Sequence, residues 1–198
     1  MRTYYIQYDE QAKVNYCVIF CLYMISQKNS TEKLNNIIVY KSQKELVEKI
    51  KKECNYNIAE STVSKILNDT KKGYNIYFTK QENENIIRLN CNFKKGKAVS
   101  NKFITITEEE IRFLLKQDDK LLNKYYLYLK YYCGYSKSGM IDTTANQILS
   151  AIGYSPNCGN NKQKLSDYNN LLVNQGFIEI TRFVDTAGHC RNIYKITA

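Results

Sequence analysis

The sequence contains no tryptophan, one proline, one histidine and eight glycines in 198 residues. So little proline and glycine excludes collagen-like and low-complexity chains. Long apolar runs are missing too. The longest, Tyr16–Ile25, has ten residues, half of what a bilayer requires, and no cleavable signal precedes it. A membrane-spanning or secreted protein is therefore not expected. Acidic residues are in deficit, 19 against 29 Lys and Arg, which leaves a net charge of +10 and a pI near 9.1. That balance favours a polyanionic partner such as nucleic acid or an acidic membrane surface, and says nothing about fold.

What is present belongs to a globular chain: 43% hydrophobic and 24% charged residues. The length allows one domain or two small ones, each able to bury a core. Seven cysteines (17, 21, 54, 91, 133, 158 and 190) follow no regular spacing and read as reduced thiols of a cytoplasmic protein. Lys, Asn, Ile and Tyr (24, 22, 21 and 18 residues) have A/T-rich codons, which points to an AT-rich bacterial or mobile-element source.

Hydrophobic periodicity divides the chain into residues 1–93 and 103–198. Between them Lys94–Lys102 is basic, polar and glycine-containing, with neither a helical nor a strand face, and reads as a linker or a surface loop. In the first half, Val14, Cys17, Val18, Cys21, Leu22 and Ile25 mark a buried helix, and Ile37–Tyr40 a short strand. Ser42 caps a helix with Leu46, Val47 and Ile50 inside; a second helix, Glu60–Lys72, buries Val63, Ile66 and Leu67. Asn75–Thr79 and Ile86–Asn90 then form a hairpin. In the second half, Phe103–Ile106 reads as a strand or extended arm, and Thr107 with Glu110 has the spacing of a capping box. Lys120–Cys133 is a Tyr/Leu-rich helix, Asp142 or Thr143 caps the next, and Asn160 or Asn161 opens a third that ends at Asn174–Gly176. Phe177–Phe183 and Cys190–Thr197 make a second hairpin.

Helix, strand, helix, turn, helix and β-hairpin is the winged-helix order. Glu60–Leu67 (ESTVSKIL) resembles the recognition helix of bacterial repressors. Tyr125–Leu129, Thr144–Leu149 and Leu172–Ile178 resemble the winged-helix domains of plasmid and phage replication initiators, where a Leu-x-x-x-Gly-Phe-Ile phrase leads from recognition helix to wing. The resemblance implies an α+β, mainly helical chain: two winged-helix domains in tandem that bind double-stranded DNA sequence-specifically.

Residue chemistry gives candidate contacts. A helix about 10 Å across fits the major groove, about 12 Å wide. Ser61 and Lys65 are expected nearest the bases and Thr62 and Ser64 on phosphates, with Asn68 and Lys72 on the same face. The second helix offers Asn161, Lys162, Gln163, Lys164, Ser166, Asp167 and Asn170 on its outer face; Asn and Gln pair bidentately with adenine and Lys with guanine. Arg182, His189 and Arg191 are the expected contacts of the second wing, and Lys94, Lys95 and Lys97 of the linker. Each set has a plainer reading as solvated surface.

No enzyme emerges. A nicking enzyme needs paired histidines beside its tyrosine, and no phosphate-loop pattern occurs. The tyrosines of 125–132 read as core, and Cys158, His189 and Cys190 lack zinc spacing, so no cofactor and no metal are expected. Asp118 and Asp119 are read as helix-start carboxylates. The expected role is plasmid or phage replication initiation, with double-stranded DNA, replication proteins and a second copy as partner classes and no membrane. The alternatives are a transcriptional or transfer regulator of a mobile element, and a protein-interaction adaptor.

Overall fold

A computed structural model describes residues 2–8, 15–28, 37–70, 76–81, 83–89, 103–188 and 190–197. The chain is α+β, with short antiparallel sheets among its helices. It divides into two compact units, residues 1–7 with 12–120 and residues 8–11 with 121–198. No described helix is long and apolar enough to cross a membrane.

The first unit is built on α1 (Tyr16–Lys28), in which every residue from Tyr16 to Ser26 is buried. A helix apolar on all sides must lie at the centre of its unit. It is followed by β2 (Ile37–Tyr40), α2 (Gln43–Cys54), α3 (Glu60–Thr70), β3 (Ile76–Gln81) and β4 (Glu84–Leu89). The sheet runs β2-β4-β3, antiparallel throughout. Ser42 caps α2 as its position indicates: its hydroxyl accepts from the Glu45 amide at 3.2 Å, and the Glu45 carboxylate accepts from the Lys41 amide at 2.7 Å. Asn55, in the left-handed region at φ 52°, ends the helix and turns the chain toward α3.

Two strands went unread in the sequence, one in each unit. Thr3–Gln7 forms β1 and pairs antiparallel with β5 (Phe103–Thr107), Tyr5 opposite Thr105. The reading from sequence opens its second half at Phe103, whereas contacts group Phe103–Lys120 with the first unit. The Thr107–Glu110 capping box is present at the start of α4 (Glu108–Gln117). Asp118 is a correction. It is no helix-start carboxylate but the C-cap of α4, left-handed at φ 47°.

The second unit takes nearly all of α5 (Lys120–Tyr135), then β6 (Met140–Thr143), α6 (Ala145–Ala151), α7 (Gly159–Asn174), β7 (Ile178–Val184) and β8 (Cys190–Ile196). Its sheet runs β6-β8-β7, again antiparallel. The β6 strand replaces the expected cap at Asp142 or Thr143. Thr144 holds that role instead, in a full capping box with Gln147. Both α6 and α7 close on a glycine with positive φ, Gly153 at 78° and Gly176 at 69°. In each, the next amide reaches back to the helix, Tyr154 to Leu149 O at 2.8 Å and Phe177 to Leu172 O at 3.0 Å. Only glycine adopts that conformation without strain.

Each unit thus contains the same run of helix, strand, helix, helix, strand, strand (α1–β4 and α5–β8), with the first strand beside the last in its sheet, and the first unit adds β1, β5 and α4.

Candidate nucleic-acid interface

The third helix of each set, α3 and α7, is held by its apolar side. On α3, Val63 and Leu67 are buried; on α7, Leu165, Tyr168, Asn169 and Leu172 are. At about 100° per residue, the side chains opposite those anchors are fixed by the sequence.

On α3 the outward line is Ser61, Lys65 and Asn68, all exposed, while Thr62 and Ser64 flank it half-buried. Lys65 makes no ion pair among the described residues, so its ammonium is available to an external acceptor. Ser64 is already engaged: its hydroxyl lies 2.5 Å from Gln43 Oε1 and 3.0 Å from Glu60 O. With its oxygen engaged, the Gln43 amide keeps two N–H donors at the first turn of α2, close to exposed Lys41 and Lys44. Sequence reasoning missed Gln43, because only the fold brings residue 43 to residue 64.

On α7 the outward line is Asn160, Gln163, Asp167 and Asn170, spaced three and four residues apart and all exposed. Lys162 and Lys164 lie on opposite flanks of this line, both exposed and without an ion pair among the described residues. Gln163 donates Nε2–H to Asp167 Oδ1 at 3.0 Å. Asn161 is less available than expected, since its amide donates to Ser155 O at 3.2 Å in the turn before the helix. Ser166 is exposed beside the line.

The structure separates Asn169 from Asn170. Asn169 is buried and accepts the Tyr125 hydroxyl, while Asn170 faces solvent. Burial pushes the Tyr125 phenol well above its ordinary range, so it stays protonated and can donate. Asp167 and Asn170 were visible as polar face residues, but only the packing of α7 shows that Asn160, Gln163, Asp167 and Asn170 form one rib.

In the second hairpin Arg182 is exposed. Arg191 is half-buried and pairs with Asp142 at 2.9 Å, which ties β8 to β6. Lys195 of β8 likewise pairs with Glu179 of β7, its register partner, at 3.0 Å. Lys72, Lys94, Lys95, Lys97 and His189 lie outside the described residues. Cys158 and Cys190 are exposed thiols, and among the described residues no group of three or more metal-ligating side chains gathers.

Compared with known proteins, the chain matches no protein-family profile and no curated protein sequence.

Proposed function

We propose that the two helix–strand–helix–helix–hairpin sets are winged-helix domains and that the chain binds double-stranded DNA sequence-specifically through α3 and α7. The observation that carries this reading is the outer face of α7. A rib of amides, Asn160, Gln163 and Asn170, stands opposite the buried side and is bracketed by Lys162 and Lys164. A helix lying in the major groove has base edges in front and phosphates to either side. Amides suit the first and ammoniums the second. On α3, Ser61, Lys65 and Asn68 face outward in the same way, with Gln43 offering donors beside them.

The net charge of +10 supplies the sequence-independent part of the affinity. The role we assign is initiation of plasmid or phage replication, on the resemblance of the Tyr/Leu helix and the Leu172–Ile178 phrase to such initiators. A regulator from the same kind of mobile element would share the fold and the DNA contacts.

The test is binding of the full chain to fluorescent duplexes selected from an AT-rich genomic library, across a salt series. Each phosphate neutralised contributes a slope of about −0.9 in log K against log salt. A steep slope together with selection of one sequence class supports the proposal. Absence of duplex binding at low salt overturns it and favours the protein-adaptor reading. Selected sites repeated beside an AT-rich unwinding region point to an initiator, and sites overlapping a promoter point to a regulator.

A further inference from the structure

On α7, one acidic residue stands in the line that would face DNA. Asp167 is exposed and belongs to the same rib as Asn160, Gln163 and Asn170. A carboxylate there repels phosphate, so its presence calls for a use. Among the described residues its side chain's one hydrogen bond is with Gln163, which donates Nε2–H to Asp167 Oδ1 at 3.0 Å.

That contact fixes which way round the amide sits. A carboxylate accepts and cannot donate, so it rejects the amide oxygen and holds the amide nitrogen. The Gln163 amide has two N–H groups, of which one is taken by Asp167. The other N–H and Oε1 remain, and they are the pair that adenine matches with its N7 acceptor and N6 amino donor. The reversed amide would turn its oxygen toward the carboxylate and lose the bond. Orienting the amide before contact also removes part of the ordering cost that a freely rotating glutamine would meet on binding.

We infer that Asp167 is a positioning residue for Gln163, setting its amide to read adenine at one place in the bound duplex. The inference rests on the proposed DNA-binding function and adds the base read and the residue that orients its reader. Lys162 and Lys164 then hold the phosphates on either side of that base pair.

The experiment compares full-length wild type, Gln163→Ala, Asp167→Ala and Asp167→Asn by selection from a randomised duplex pool and by titration of the selected site. Circular dichroism checks that each variant folds, which exposure of both side chains favours. Wild type is expected to prefer adenine at one position by about tenfold or more, the range of a good bidentate pair. Gln163→Ala and Asp167→Ala should both lower that preference to about threefold or less, leaving other positions unchanged. Asp167→Asn offers Gln163 an N–H donor beside its acceptor oxygen, so it no longer rejects the reversed amide, and its preference should fall between those of wild type and Asp167→Ala. Both Asp167 variants remove a negative charge and should tighten binding to every duplex by a similar factor. This common gain separates charge from orientation.

Retention of the wild-type adenine preference in Asp167→Ala overturns the inference, as does a preference in Asp167→Asn weaker than that in Asp167→Ala. Selective binding in which no position responds to Gln163→Ala also overturns it, while leaving the DNA-binding function intact. Failure of the wild type to bind any duplex removes both together.

Discussion

The Tyr56 hydroxyl donates to Asp118 Oδ1 over 2.6 Å, joining the segment between α2 and α3 to the C-cap of α4. The same carboxylate oxygen lies 3.7 Å from the Cys17 thiol, at the start of α1. Burial is the largest influence on the Tyr56 phenol and, with the adjoining carboxylate, pushes its titration well above the ordinary range. One acidic side chain therefore fastens three parts of the first unit, including the residue that leads into α3.

Removing that fastening should cost stability in proportion to what is left unpaired. Tyr56→Phe should lower unfolding stability by about 1 kcal/mol, the net worth of one hydrogen bond. Asp118→Ala should cost more, about 2–3 kcal/mol, because alanine is also poor in the left-handed backbone at φ 47°. Asp118→Asn, tolerant of that backbone and still an acceptor, should fall between wild type and Asp118→Ala. Urea midpoints of the full chain order the variants, and equal losses from Asp118→Ala and Asp118→Asn would refute the account.

Asn169 and Asn170 are adjacent in sequence and predict opposite phenotypes. Asn169→Ala removes the acceptor of a buried tyrosine hydroxyl and should destabilise the second unit by about 1–3 kcal/mol. Asn170→Ala removes an exposed amide and should change stability by no more than about 0.5 kcal/mol while weakening duplex binding. Thermal unfolding and duplex titration on the same two proteins check both halves of the statement. A stable Asn169→Ala protein with reduced DNA selectivity would reverse the assignments.

Local signals in the sequence proved readable where one side chain and a fixed spacing suffice. Ser42, and Thr107 with Glu110, cap their helices because each hydroxyl needs only an amide three residues on. The two hairpins are legible for a related reason, each closing on itself within a few residues. By contrast β1 and β6 escaped. The four residues of β6 carry no alternating apolar pattern, and its partner β8 lies some 50 residues further along. Pairing of β1 with β5 spans about 100 residues, so nothing near Thr3–Gln7 announces it. Asp118 was misread because an acidic residue ahead of a helix looks like a dipole partner; its positive φ and its bond to Tyr56 exist only once α4 is folded.

The same limit applied to the candidate interface. Helical spacing alone placed Ser61 and Lys65 outward on α3, and both are exposed. It did not disclose that Ser64 is tied to Gln43, that Asp167 holds Gln163, or that Arg191 is paired with Asp142. Those pairings depend on which surfaces meet, or on which of several rotamers a folded helix permits.

Alkaline pH should loosen the first unit through Tyr40 on β2. Burial raises its phenol from 10.0 to about 12. The folded form thus favours the neutral phenol more than the unfolded chain does. Stability from this difference is complete below pH 10, the unfolded value, and is lost as pH rises through about 12. Tyr4 and Tyr56 are raised as well and act in the same direction. Urea midpoints should fall between pH 10 and 12, with tyrosinate absorbance rising alongside unfolding, and Tyr40→Phe should flatten part of the fall. A flat midpoint across that window would exclude the effect.

Lys162 and Lys164 predict a different signature from Gln163, even though all three lie on the same turn of α7. Each lysine is exposed and unpaired among the described residues, and the two point to opposite sides of the amide rib. If they touch phosphates, Lys162→Ala and Lys164→Ala should weaken binding to all duplexes alike and each reduce the salt slope by about 0.9. Neither should alter which sequence is selected. Gln163→Ala should leave the salt slope unchanged and affect one position of the site. Titrations at several salt concentrations, run on the selected duplex and on a scrambled one, distinguish the two patterns. The opposite result, sequence selection lost with either lysine and a salt slope insensitive to both, would mean that α7 meets DNA by a face other than its amide rib.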